Sequence, residues 1–337
     1  MRVPLLKTVS ESIRYGFAVG KVRVLETRVF GSATYERLVD APTFDEQRRI
    51  LSDTPYGSFL EGVTTADDVE TALEGALDEI YRFLVTSSLP VPVVRFFRVR
   101  YDYANLRAVL KARLLGATTE DLLVNLGTVD LETITGPLSG LPEHLRGLAE
   151  EFSRDTSDDE NATPVTLEDI DMAVERALFA DIRATAKTSG STFLRDLAAL
   201  EIDVANAKTA IRARRRSVPL GDLTGLLLKG GTLKVKAIEE AYALPFEEFV
   251  EAVARVPRLK GIAAEDLADP ARLDVVTDNL GVRFLRSGRA VPVGPEPVIA
   301  YVIAREDEVR AVRTVLIGKL AGLGPDALRA RLREVYV

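Results

Sequence analysis

Along most of its length the chain sets apolar residues three and four positions apart. The pattern is sharpest between Val99 and Leu110, where Val99, Tyr103, Leu106 and Leu110 share one face and Arg100, Arg107 and Lys111 lie off it. This is the helical period, and it predicts a helix whose apolar set packs inward. Helix starts carry a repeated signature as well. Thr43 with Glu46, Thr65 with Asp68, Thr118 with Asp121 and Thr166 with Asp169 each set a hydroxyl three residues before an acid. Such a hydroxyl accepts from the free amides of a first turn, and the acid complements the positive end of the helix dipole. The nearest candidate for a strand is Leu89-Pro-Val-Pro-Val-Val94, and its two prolines argue against it. The expected fold is all-α.

The helical pattern recurs as a unit. At one constant shift of 101 positions, Thr65, Asp68, Ala72, Glu74, Ala76, Leu77 and Arg82 fall on Thr166, Asp169, Ala173, Glu175, Ala177, Leu178 and Arg183. Farther along, Asp102, Ala104, Asn105, Ala112 and Arg113 fall on Asp203, Ala205, Asn206, Ala213 and Arg214. These are 12 identities over 30 positions, against roughly two expected by chance from ordinary residue usage. A duplication is the reading that count supports. Phe44 and Pro55 fall on Phe246 and Pro257 at twice the shift, and Glu306-Asp-Glu-Val-Arg-Ala-Val-Arg313 reads as a weaker third copy. The expected organisation is a helical unit at 63–152, a second at 165–264 and a third at 265–337, with the N-terminal segment 1–62 completing the third. The polar run Ser153–Pro164 reads as a linker, and a lesser break spans Arg286 to Pro297.

Charge and composition exclude more than they assign. The net charge of −7 disfavours a general nucleic-acid binder. Cysteine is absent, which removes disulfides and thiolate metal sites and suits a cytosolic protein. The start, Met1-Arg-Val-Pro-Leu-Leu-Lys, does not read as a signal peptide. The longest apolar stretch, Pro297–Ala304, is far short of the roughly 20 residues that span a bilayer. The single histidine, His144, has no cysteine or second histidine to share a metal with, and is expected to be a solvated helix residue. Leu228-Lys-Gly-Gly-Thr-Leu233 lacks the spacing and ending of a phosphate loop, so a turn is expected there. The acidic pairs at Asp67-Asp68 and Asp158-Asp159-Glu160 do not match a calcium loop. No catalytic, cofactor-binding or metal residue is expected.

The most specific motif is the repeated Asp-x-x-Asn-x-basic, carried by Asp102 and Asn105 and again by Asp203 and Asn206. Asparagine competes for backbone hydrogen bonds and is a mediocre residue inside a helix. Its recurrence suggests either a bond to a neighbouring helix or turn within each unit, or a direct partner contact. Lys208, Arg212 and Arg215 form a basic stripe that continues into Arg214 and Arg216. It is either a solvated face or a surface for an acidic partner.

Taken in order, the Asp-x-x-Asn-x-basic motifs, the Gly230-Gly231 turn, the Thr54-Pro-Tyr-Gly57 turn and a closing helix at Gly318-Lys319 resemble one family over nearly the whole chain. It is the C subunit of bacterial and archaeal V/A-type rotary ATPases, the counterpart of the d subunit of the eukaryotic vacuolar enzyme. Arg255-Val-Pro-Arg258 departs from the Thr-Pro-Tyr pattern in the later copy. The resemblance implies three pseudo-symmetric helical domains arranged as a funnel around a central axis. It implies a non-catalytic rotor subunit without a cofactor, a monomer when isolated and present once per complex. That subunit would join the central-shaft subunits (D and F type) to the membrane proteolipid ring from the cytoplasmic face, transmitting torque for transport of protons or sodium ions. A helical-repeat scaffold binding other proteins is the alternative reading.

Overall fold

The computed structural model describes residues 3–119, 122–153 and 164–337. Among them lie sixteen α-helices, three short 3-10 turns and no strand. The N-terminal helices are α1 (Val3–Leu25), α2 (Ser32–Asp40), α3 (Phe44–Leu51) and α4 (Ala66–Thr86). Next come α5 (Val91–Leu115), α6 (Leu131–Thr135), α7 (Glu143–Glu151), α8 (Leu167–Thr188), α9 (Thr192–Arg215) and α10 (Leu220–Leu226). The remainder are α11 (Val235–Tyr242), α12 (Phe246–Ala254), α13 (Ala264–Ala268), α14 (Pro270–Arg289), α15 (Pro295–Leu320) and α16 (Pro325–Arg329). The chain divides into two compact units, one running to Leu89 and resuming at Glu240–Val337, the other Pro90–Glu239.

Local chemistry accounts for several helix starts. Thr65 and Thr166 each accept from the amide three residues on, and Asp68 and Asp169 reach back to complete the reciprocal box. Thr43 caps α3 through the Glu46 amide. The pairing of Thr118 with Asp121 is different: Asp121 lies outside the described residues, and no helix begins between residues 122 and 130. Leu89–Val94 opens α5, with Pro90 at the cap and Pro92 inside the first turn, where a missing N–H costs nothing. The break after Arg286 resolves into the end of α14, a short loop and Gly294 ahead of α15. The expected linker 153–164 lies, apart from its two ends, outside the described residues.

Three pairs of long helices follow one another in the chain: α4 with α5, α8 with α9, and α14 with α15. The second member of each ends in a residue of left-handed conformation at or near its last turn: Gly116 (φ 64°), Ser217 (φ 57°) and Gly322 (φ 77°). The amide that follows each one returns to the helix, from Ala117 to Ala112 O (2.9 Å), Val218 to Ala213 O (3.0 Å) and Leu323 to Gly318 O (2.9 Å).

In the unit Pro90–Glu239, α8 packs against both α5 and α9, while α6 and α7 lie on α5 and α10 lies on α9. In the other unit α15 is the hub, contacting α1, α3, α4, α14 and α16. Five consecutive residues of α15, Val298-Ile-Ala-Tyr-Val302, are buried, because neighbours cover it on all sides. Its apolar stretch is thus core, and no helix among the described residues is long and apolar enough to cross a membrane. The packing of α5 on α8 and of α15 on α4 has the same sense: the second helix of one pair meets the first helix of another.

Candidate functional site

The Asp-x-x-Asn motifs sit on the inner faces of α5 and α9, and all four side chains are buried. Each asparagine clamps one residue of the loop that follows its helix. Asn105 donates to Val124 O (2.8 Å) and accepts from Val124 N (2.9 Å). Asn206 donates to Leu228 O (2.9 Å) and accepts from Leu228 N (2.7 Å). An amide side chain carries a donor and an acceptor side by side, and so satisfies both backbone groups of a single residue at once.

The aspartates hold the same loops a few residues on. Asp102 Oδ1 accepts the amides of Thr128 (2.6 Å) and Val129 (3.0 Å), and its Oδ2 takes the Thr128 hydroxyl. Asp203 Oδ1 accepts the Leu233 amide (2.8 Å), and its Oδ2 takes the Thr232 hydroxyl. A buried carboxylate is tolerable only when its lone pairs are filled in this way. The loop must approach closely, and a Cβ on Gly127 would stand 2.2 Å from Asp102 Oδ1, one on Gly231 2.0 Å from Asp203 Oδ1. The expected turn at Leu228–Leu233 is this held loop.

Gly127-Thr128 and Gly231-Thr232 are the partners that inspection of the sequence missed. They correspond at a shift of 104, three more than the helices, so an ungapped comparison passes over them. A gapped comparison of Val124-Asn-Leu-Gly-Thr-Val129 with Leu228-Lys-Gly-Gly-Thr-Leu233 would have found them.

On α15 a third carboxylate does equivalent work. Glu308 Oε2 accepts the Phe30 amide and Oε1 accepts the Tyr56 hydroxyl (3.0 Å), again one backbone donor and one hydroxyl. Glu308 stands as far before Gly322 as Asp102 stands before Gly116 and Asp203 before Ser217. No asparagine follows it; Ala311 occupies that place. Instead Arg305, one turn earlier and equally buried, pairs with Glu308 and lies 5.4 Å from the Tyr56 ring centre. Burial pushes the Glu308 carboxyl above its ordinary range against the opposing pull of Arg305, and the same burial raises the Tyr56 phenol. Tyr56 belongs to the Thr54-Pro-Tyr-Gly57 turn and is fully buried.

His144 does not stand in solvent as expected. It is half-buried, its ring edge-on to Tyr103 (5.9 Å between centroids) and Nε2 3.6 Å from Asp102 Oδ2, because α7 folds back onto α5. The basic stripe occupies the last turns of α9. Arg212, Arg215 and Arg216 are exposed there and Lys208 and Arg214 half-buried. Basic groups at a helix C-terminus complement its dipole, and none of Lys208, Arg212, Arg214 and Arg215 is without an interaction in the protein. The stripe and the clamps are separate features of α9. Among the described residues no group of three or more acidic or histidine side chains could hold a metal. The polar groups of the clamps are spent on loop backbone, so their chemistry is to fix shape.

The sequence profile of the ATP synthase (C/AC39) subunit family matches residues 18–331. The chain is 26% identical to the C subunit of the A-type ATP synthase of Methanosarcina acetivorans, over 94% of this chain and 92% of that one. It is 22% identical to the C subunit of the A-type ATP synthase of Methanococcoides burtonii, over 97% and 96% of the two. With the C subunit of the V-type sodium ATPase of Enterococcus hirae the identity is also 22%, over 94% of this chain and 97% of the relative. With nearly the whole chain inside the match and the relatives covered almost end to end, the chain belongs to the ATP synthase (C/AC39) subunit family.

Proposed function

We propose that the protein is a non-catalytic rotor subunit of a rotary ATPase, seated between the central shaft and the membrane proteolipid ring and passing torque from one to the other. The observation that carries this reading is the near end-to-end correspondence with the C subunits of A-type and V-type enzymes. Stiffness is what such a part needs, and the clamps favour it: each ties a long helix to a returning segment through buried, charge-assisted bonds. The three helix pairs, with 1–62 completing the last, are the three domains of a funnel around the shaft axis. With no membrane-crossing helix among the described residues, partner proteins hold the subunit at the cytoplasmic face.

Purification of the tagged protein from its own membranes tests the reading. Shaft subunits, nucleotide-binding heads and proteolipid should come with it in fixed ratio; their absence sinks the assignment. We assign the basic end of α9 to an acidic rotor partner. Reversing Arg212 and Arg215 to Glu should leave the melting temperature nearly unchanged, since exposed charges contribute little. Binding of shaft or ring should weaken, less so as salt is added. Normal assembly of that variant with both would return the stripe to solvent.

A further inference from the structure

Beyond the last helix, residues 331–337 take no regular structure yet lie in order across the unit that contains them. Their ties are nearly all made by side chains of α14. Glu334 pairs with Arg283 (2.6 Å) and Arg286 (2.9 Å), Arg333 reaches Asp278 (2.9 Å), and the Glu334 amide donates to Asn279 Oδ1 (2.8 Å). Arg286 also donates to Val335 O (3.0 Å). One side chain anchors the far end: Tyr336 is buried, its hydroxyl donating to Glu26 Oε1 (2.7 Å), with Arg289 5.7 Å from its ring centre.

The segment forms one wall of a cleft of about 660 Å³, whose other walls include Phe30, Tyr35, Val282, Leu285 and Ala311. Wall and floor are held unequally. The floor belongs to α14, α15 and the segment gripped by Glu308, all packed in core. The wall hangs on ion pairs whose members are 28% to 49% exposed, plus one tyrosine. Partly solvated pairs are screened by salt and individually weak, whereas the floor opens only with the whole unit.

We propose that residues 331–337 are a strap that opens as a unit while the rest of the protein stays folded, uncovering the apolar floor of this cleft. Closure is electrostatic, through Arg283, Arg286 and Glu334, and Tyr336 is the plug that sets its register. The strap also joins α14 to Glu26, next to the segment that Glu308 grips, so its state bears on how tightly the two ends of the chain are held together.

Amide hydrogen exchange of the full-length protein, at low and high salt, provides the test. Amides of 332–336 should exchange far faster than those of α15 in the unaltered protein, and faster again at high salt. Arg286→Ala should speed the strap by about threefold to tenfold, the loss expected of one partly solvated ion pair and the bond to Val335 O, with α15 exchange and the melting temperature unchanged. Tyr336→Phe, which keeps the ring and removes only its bond to Glu26, should speed the strap less. Strap amides that exchange only as slowly as α15, or that ignore salt and both substitutions, would overturn the proposal.

Discussion

The clamps on α5 and α9 and the clamp on α15 use the same pair of acceptors but hold very different pieces of chain. Asp102 and Asp203 grip loops 26 to 30 residues downstream, with a neutral asparagine beside each. Glu308 grips Phe30 and Tyr56, 278 and 252 residues away, with a buried arginine beside it. A nearby loop is closed at small entropic cost, and a neutral amide suffices to set its register. Joining the two ends of the chain costs more entropy, and there the fold uses a longer acid, an aromatic hydroxyl and a guanidinium. Charge and burial together make that clamp the one most sensitive to damage.

Truncating the charged clamp should therefore do the most harm. Glu308→Ala leaves Arg305 buried without its carboxylate and should cost about 3–5 kcal/mol. Chemical unfolding followed by circular dichroism measures it, and a loss no larger than that of the asparagine truncations would erase the difference between the two kinds of clamp. Next in size come Asn105→Ala and Asn206→Ala, each expected to cost about 1–3 kcal/mol by leaving one loop residue's amide and carbonyl unpaired. The two losses should be alike, since both bind a single residue in the same way; thermal melts with both variants unchanged would contradict the geometry.

Ser217→Gly should go the other way. Gly116 and Gly322 end α5 and α15 in left-handed geometry without a Cβ, while Ser217 carries one at φ 57° beyond the end of α9. Removing it should stabilise by about 0.5–1 kcal/mol, the strain relieved less the added freedom of the unfolded chain. A lowered melting temperature would show that the serine hydroxyl matters more than the strain. The smallest effect concerns the helix starts. Bonds from the Thr64 and Thr65 amides hold the Asp68 carboxyl down to about 2, from an ordinary 3.8, and the Thr166 hydroxyl and amide hold Asp169 below its ordinary value. A depressed carboxyl stabilises the fold above its unfolded pKa, and that contribution fades as pH falls between about 4 and 2. Carboxyl NMR titration should find Asp68 below ordinary aspartates, and Thr65→Ala, which removes the hydroxyl and leaves both amides in place, should raise it only in part; an unshifted Asp68 in the unaltered protein would remove the box.

Legibility in the sequence tracked distance along the chain. The capping boxes at Thr65 and Thr166 were plain because donor and acceptor lie within one turn, and the face of Val99, Tyr103, Leu106 and Leu110 was plain because periodicity is local. Asp102 and Asn105 could be singled out, but their partners could not, since a loop longer by three residues in the second copy put Gly231-Thr232 out of step with Gly127-Thr128. His144 was misjudged because nothing near it in the sequence marks what covers it; only the return of α7 onto α5 does. Leu89–Val94 was set aside as a strand because of its two prolines, and those prolines mark the start of α5, with Pro90 at its cap.

By itself the sequence determined the helical period and the starts at Thr43, Thr65 and Thr166, which rest on interactions spanning a few residues, and the duplication, which is read from sequence likeness alone. Tertiary structure alone decided that Glu308 takes the place of the third aspartate, that Phe30 and Tyr56 are what it holds, and that residues 331–337 cross α14. Those choices bring together groups some 50 to 310 residues apart. No local propensity encodes such a meeting, because the free energy that selects it arises only when the core of α15 is already buried on every side.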